Sequence, residues 1–249
     1  MAKFEGIFEI FGTMKGMTFY KSKDGLLIRA KGGVSKQRIK NDPAFQRTRE
    51  NGAEFKHNSQ MGQLLRQSVS PLLRLAKDYR VSSRLNGVMS RIKNLDGVSR
   101  RGERKVPIGI GTVAGKALLK GFDFNQNAAF RTLFRTPYSL DTVTGVFTVT
   151  DFQSEFHLGL PEGTTHASLS SAVVGIDFAN RVYETHYSNK ENFAIGSIPQ
   201  TITLTPAALP TVTETRLFFI LIEFFQEING EQYPLKNHAH NVLHILEVV

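Results

Sequence analysis

Three stretches of this sequence carry residue types that could do chemistry. The first, Ile108-Gly109-Ile110-Gly111-Thr112-Val113-Ala114-Gly115-Lys116, has the composition of a phosphate loop, in which glycines let backbone N–H groups approach an anion and a lysine reaches its outer phosphates. Its spacing departs from that pattern: position 110 is Ile where a glycine is required, and Lys116 precedes Ala117 where a magnesium-binding Ser or Thr belongs. As a dinucleotide fingerprint, its glycines at 109, 111 and 115 end one residue too far apart. The run therefore reads as a flexible crossing between domains. The second stretch holds His238, His240 and His244, whose shared parity would put three imidazoles on one face of a strand, where neighbours two apart can share a metal. No carboxylate obviously completes the set, and Lys236, Asn237 and Asn241 suggest a polar strand entry instead. The third, Gly196-Ser197-Ile198, lacks the second glycine of a nucleophile elbow, and Asp151, Glu155 and Asp177 show no paired spacing for acid–base work. With no Cys in 249 residues, thiol catalysis, zinc ribbons and disulfides are excluded. These residues imply neither an enzyme nor a cofactor.

The cations form the remaining candidate. Lys21, Lys23, Arg29, Lys31, Lys36, Arg38, Lys40, Arg47 and Arg49 fall within 29 residues in which only Asp24 and Asp42 are acidic. Such density attracts polyanions by neutralising phosphates and releasing counterions. Arg100, Arg101, Arg104 and Lys105 form a second cluster opposed by Glu103, and Phe19, Tyr20 and Phe45 could stack on bases if exposed, although Phe19 and Phe45 also suit a core. Lys77, Arg80, Arg84 and Arg91 keep spacings of 3, 4 and 7, which aligns them as a basic stripe if one helix runs through all four. No helix-turn-helix, RNP or zinc-finger pattern accompanies these cations, so sequence-specific readout is not implied.

The elements that must position these residues differ between the two ends of the chain. Lys3 to Phe11 reads as an edge strand, and Met17 to Lys31 as a hairpin turning at Lys23-Asp24-Gly25, where Asp-Gly supplies positive φ. Asp42-Pro43 is a helix start, with Asp as N-cap and Pro at the first helical position. Helical composition continues to about Leu95, divided at Pro71. Leu72, Leu75, Ala76 and Tyr79 lie on a different side from Val81, Leu85, Val88, Met89 and Ile92, so a second break is expected near Ser82-Ser83. From Phe122 onward eight or nine short strands are expected. Hairpins fall around Thr144-Gly145, between 166–176 and 181–186, and at Ile228-Asn229-Gly230, followed by a closing strand over 241–249.

This pattern predicts an α+β protein. Residues 1–106 form an N-terminal β-hairpin plus basic helices, and residues 107–249 an antiparallel β-sandwich or jelly-roll-like domain. Charge follows the same division. Residues 1–110 hold 23 Lys and Arg against 9 Asp and Glu, a net of +14, whereas residues 111–249 hold 8 against 13, a net of −5. No apolar run approaches the roughly 20 residues of a membrane span, and Glu5 and Glu9 argue against a secretory signal, so a cytoplasmic address, or an assembly built there, is expected.

The segments 16–25 (GMTFYKSKDG), 29–33 (RAKGG) and 42–51 (DPAFQRTREN) resemble the front of an uncharacterised family of Bacteroidota proteins, and 161–166 (PEGTTH) and 224–230 (FFQEING) resemble its β-rich rear half. The resemblance implies a bacterial or bacteriophage setting and a two-part layout, and it brings no activity, cofactor or functional residue with it. Two functional expectations follow from the residues. The first is a non-enzymatic structural or interaction protein, assembling with copies of itself or another protein through the β domain, with the basic front as an arm or as complement to an acidic rear. The alternative is a sequence-independent nucleic-acid binder using the basic half.

Overall fold

In a computed structural model that describes residues 2–3, 10–30, 33–76 and 78–249, the chain divides into two units, 1–50 and 51–249. The first is built from tight turns. β1 (Ala2–Lys3), β2 (Gly12–Met14), β3 (Met17–Ser22) and β4 (Gly25–Ala30) form an antiparallel sheet in the order β1-β4-β3-β2. Lys15 and Gly16 take φ of +46° and +79° to join β2 to β3, and the Ser22–Gly25 pair closes the expected hairpin around Lys23-Asp24. Most of the edge strand expected over 3–11 lies outside the described residues. Ser35 caps α1 (Lys36–Asn41), its Oγ accepting from the Arg38 N–H at 3.2 Å. The Asp42 carboxylate accepts from the Ala44 N–H at 2.9 Å, starting the turn that leads through Pro43 into α2 (Gln46–Ser68).

The second unit has three layers. Helices α2, α3 (Ser70–Leu75) and α4 (Val81–Lys93), with the short α5 (Val106–Ile110) and α6 (Val113–Leu119), share a core with one face of a five-stranded antiparallel sheet. One-turn α7 (Phe130–Leu133) follows, then β5 (Ser139–Leu140), β6 (Phe147–Phe152) and one-turn α8 (Ser154–His157). Next come β7 (His166–Asp177), β8 (Val182–Ala194), β9 (Gln200–Leu204), β10 (Arg216–Ile228), β11 (Glu231–Pro234) and β12 (Val242–Val248). The larger sheet runs β11-β10-β7-β8, with β12 also pairing β10, and β5-β6-β9 form a second sheet.

The central strand β10 explains the layering. Leu217, Phe219 and Leu221 join the helical core together with Val174, Ile176, Leu243 and Ile245. Phe218, Ile220, Ile222 and Phe224 alternate to the opposite face and pack with Phe147, Val149, Phe152, Ile202 and Leu204 of the smaller sheet. A strand covered on both faces reads as a continuous apolar run, here 217–222, because neither parity meets water. The protein is thus α+β, and its rear half pairs an antiparallel sheet with a smaller one, as in a sandwich. The far face of the larger sheet is covered by helices.

The boundary expected between residues 106 and 107 lies inside the second unit, whose helices and strands share one core. The helix break also falls earlier than Ser82-Ser83. α3 ends at Leu75, and α4 begins at Val81, where the Asp78 carboxylate accepts from the Arg80 N–H at 2.6 Å. That turn lets Leu72 and Ala76 reach the same core as Val81, Leu85, Met89 and Ile92, while Tyr79 is exposed.

Candidate functional site

The front cations sit on exposed strands and turns, and their chemistry divides. Arg38 pairs with Asp42 at 3.0 Å and lies over the Phe45 ring at 5.7 Å, while Arg49 donates to the Ile39 and Asp42 carbonyls at 2.8 and 2.9 Å. Arg29 lies over Tyr20 at 5.4 Å. Lys21 and Lys23 are exposed on the hairpin, and Lys36 and Lys40 are exposed on α1. Lys31 lies outside the described residues. Charge and apolar surface meet here, because Phe11, Met14 and Met17 are each roughly half exposed and Leu27 is the one buried hydrophobic residue among the described residues of 1–50. Met14 and Met17 are register partners across the first turn, so their side chains form one patch beside the cations.

The stripe expected at Lys77, Arg80, Arg84 and Arg91 does not assemble as a surface feature. Lys77 lies outside the described residues, and Arg80 stands at the start of α4 over Tyr79 at 5.3 Å. Arg84 turns inward, bonding Asp78 at 2.5 Å and the Asp123 and Phe124 carbonyls at 2.8 and 3.0 Å. Arg91 remains exposed. The physical reason is a helix break that ends the common face and an acid at position 78 that captures Arg84.

The cluster at 100–105 is likewise divided by a buried carboxylate. Glu54 of α2 accepts from Arg104 Nε and Nη2 at 2.8 and 3.0 Å, from the Gly102 N–H at 2.8 Å and from buried Lys93 of α4. The Arg104 hydrogen bonds, joined by those of Lys93 and Gly102, outweigh burial and hold the Glu54 carboxyl down at about 2. Burial pushes Asp96 up, but N–H donors from Ser99, Lys105 and Val98 outweigh it and bring it to about 2. His57 Nε2 accepts from the Val106 N–H at 3.0 Å, and burial beside Lys105 and Arg181 lowers it to about 4. These three groups fix the 94–106 loop against α2 and α4. Arg101 reaches Asn51 Oδ1 at 3.2 Å, and Arg100 and Lys105 are exposed. Glu54 was recognisable in sequence only as an acid in register with Asn58, Met61 and Leu65 along one helix.

The glycine run is a packed helix pair rather than a flexible crossing. A Cβ on Gly109 would lie 1.9 Å from the Ile92 carbonyl oxygen, and one on Gly115 would lie 2.0 Å from that of Gly109. The glycines therefore serve backbone approach between α4, α5 and α6, and the Gly115 N–H donates to Thr112 Oγ1 at 3.0 Å. The histidines do not share a strand face, because β12 starts at Val242 while His238 takes φ +66° in the preceding turn. His244 instead pairs its Nδ1 with Asp123 Oδ1 at 2.6 Å.

Among the described residues no group of three or more His, Asp or Glu is placed to hold a metal, and no helix is long and apolar enough to cross a membrane. No family model matches the chain, and neither a curated protein nor a solved structure matches it.

Proposed function

We propose that this is a non-enzymatic interaction protein whose basic front sheet docks on the net-acidic strand region, residues 111–249, of a second copy of the chain. The observation that carries the reading is the pair Met14 and Met17, exposed, as is Phe11 just ahead of β2, beside the cations of a sheet whose described residues bury only Leu27. A small sheet gains little stability without an apolar face to bury, so covering this patch is favourable. Residues 1–50 carry a net of +6 and the strand-bearing residues 111–249 a net of −5, within a second unit whose net over 51–249 is +3, so charge favours the strand region of a second copy as occupant, joined head to tail. Opposite charge steers the encounter, and apolar burial holds it.

Size-exclusion chromatography with light scattering, at low and high salt, tests this. Association at low salt that weakens at high salt is expected, as is a monomer for the double variant Phe11→Asp, Met17→Asp. A wild-type monomer at every salt overturns the reading. Fluorescence anisotropy with random-sequence DNA and RNA provides the second arm. Monomeric protein that binds either with a steep salt slope, weakened by Lys36→Ala and Lys40→Ala, would replace self-docking with nucleic-acid binding.

A further inference from the structure

A cavity of about 200 Å³ in the second unit is lined by Lys120, Phe130, Arg131, Phe134, Tyr138 and His244. Its floor is preorganised. The His244 ring, with a side chain 6% exposed, stacks on Phe130 at 4.7 Å and 20°, and Phe130 stacks on Phe134 at 5.0 Å. Asp123 Oδ1 accepts from His244 Nδ1 and, at 3.0 Å, from the Phe130 N–H. A carboxylate bound at Nδ1 holds the proton there, which leaves Nε2 as the second hydrogen-bonding atom, without a partner among the described residues.

The other polar groups divide into satisfied and unsatisfied. Lys120 pairs with Glu247 of β12, whereas the Arg131 guanidinium and the Tyr138 hydroxyl make no hydrogen bond or ion pair with the described residues. One uncompensated cation, one hydroxyl donor and one imidazole backed by a carboxylate thus converge on a space smaller than an ordinary drug-sized pocket. A cation beside a stacked aromatic wall favours an anion small enough to enter.

We propose that this cavity binds a small oxyanion, a carboxylate or a phosphate group, ion-paired by Arg131 and hydrogen-bonded by Tyr138 Oη and protonated His244 Nε2. The ring donates from Nε2 when it carries both protons, and Asp123 at Nδ1 is placed to stabilise that form. The charged and titratable groups lining the cavity are Lys120, Arg131, Tyr138 and His244, with Asp123 bonded to the His244 ring and Glu247 of β12 to Lys120. This proposal is independent of docking by the front sheet.

Histidine-ring ¹H–¹⁵N spectra of the full chain, titrated separately with inorganic phosphate and with acetate at matched ionic strength, read out His244 directly. A saturable shift at Nε2 with either anion is expected, and whichever anion acts identifies the chemical source. In Arg131→Ala, a substitution at an exposed position, affinity should fall at least about tenfold, the scale of one charge-assisted hydrogen bond. No saturable shift with either anion overturns the proposal, as does unchanged affinity in Arg131→Ala.

Discussion

Glu54 is the acid that Lys93 and Arg104 share, with Lys93 and Glu54 both deeply buried, so removing its charge leaves an ammonium without a counter-ion. Glu54→Ala should destabilise the protein by roughly 3–5 kcal/mol in urea denaturation, the cost of breaking one partner out of a buried pair. Glu54→Gln, which retains an acceptor for Arg104, should cost less. Acid acts on the same loop. His57 falls from 6.5 to about 4 in the folded protein, Glu54 from 4.5 to about 2, and Asp96 from 3.8 to about 2. All three bind protons more weakly when folded, so each contributes stability at neutral pH. The His57 contribution fades as pH drops from 6.5 towards 4, and the carboxylate contributions fade below that. The thermal midpoint against pH should therefore decline in two limbs, and His57→Gln should remove the upper one. A midpoint flat between 6.5 and 4 in the wild type would contradict the His57 assignment.

Among the elements, α4, α5 and α6 depend on backbone approach. Gly109→Ala forces a methyl into the Ile92 carbonyl and should cost more than the roughly 1–3 kcal/mol of ordinary overpacking. Gly87→Ala, at an exposed position of α4, meets nothing within 4 Å and should instead stabilise by about 1 kcal/mol. Denaturant midpoints of the two variants should thus move in opposite directions. The same elements show what the sequence could disclose. Period and turn chemistry located α2, the hairpin at Asn229-Gly230, β7 and β12 closely, because alternation and Asn-Gly are local signals, whereas β8 runs on to Ala194, past the 181–186 expected. The glycine run failed as a local signal, since its meaning lies in Ile92, which is distant in sequence. Arg104 looked like a surface cation for the same reason, since Glu54 meets it only after the helices fold back, whereas Asp78 lies six residues before Arg84 and is brought to it by the turn into α4. Likewise, the parity of the three histidines assumed a strand that begins only at Val242, and nothing near His244 announces Asp123.

At the scale of the whole molecule, the second unit stands or falls with one sheet whose faces support two cores. Leu85→Ala in the helical layer and Ile202→Ala in the smaller sheet should each cost about 2–5 kcal/mol, and far-UV and near-UV denaturation curves should shift together. Separate transitions for the two probes would show that the layers melt independently. β10 pairs with β7 from Arg216–Gly175 to Phe225–His166, and with β11 and β12 on its other edge. During synthesis, then, β7 and β8 emerge before the strand that completes them, and a ribosome paused between β8 and β10 exposes an unpaired edge, with Leu217, Phe219 and Leu221 still missing from one core and Phe218, Ile220, Ile222 and Phe224 from the other. Shielding by a chaperone until β10 arrives, or aggregation without it, is the kinetic corollary of placing the keystone strand so late in the chain.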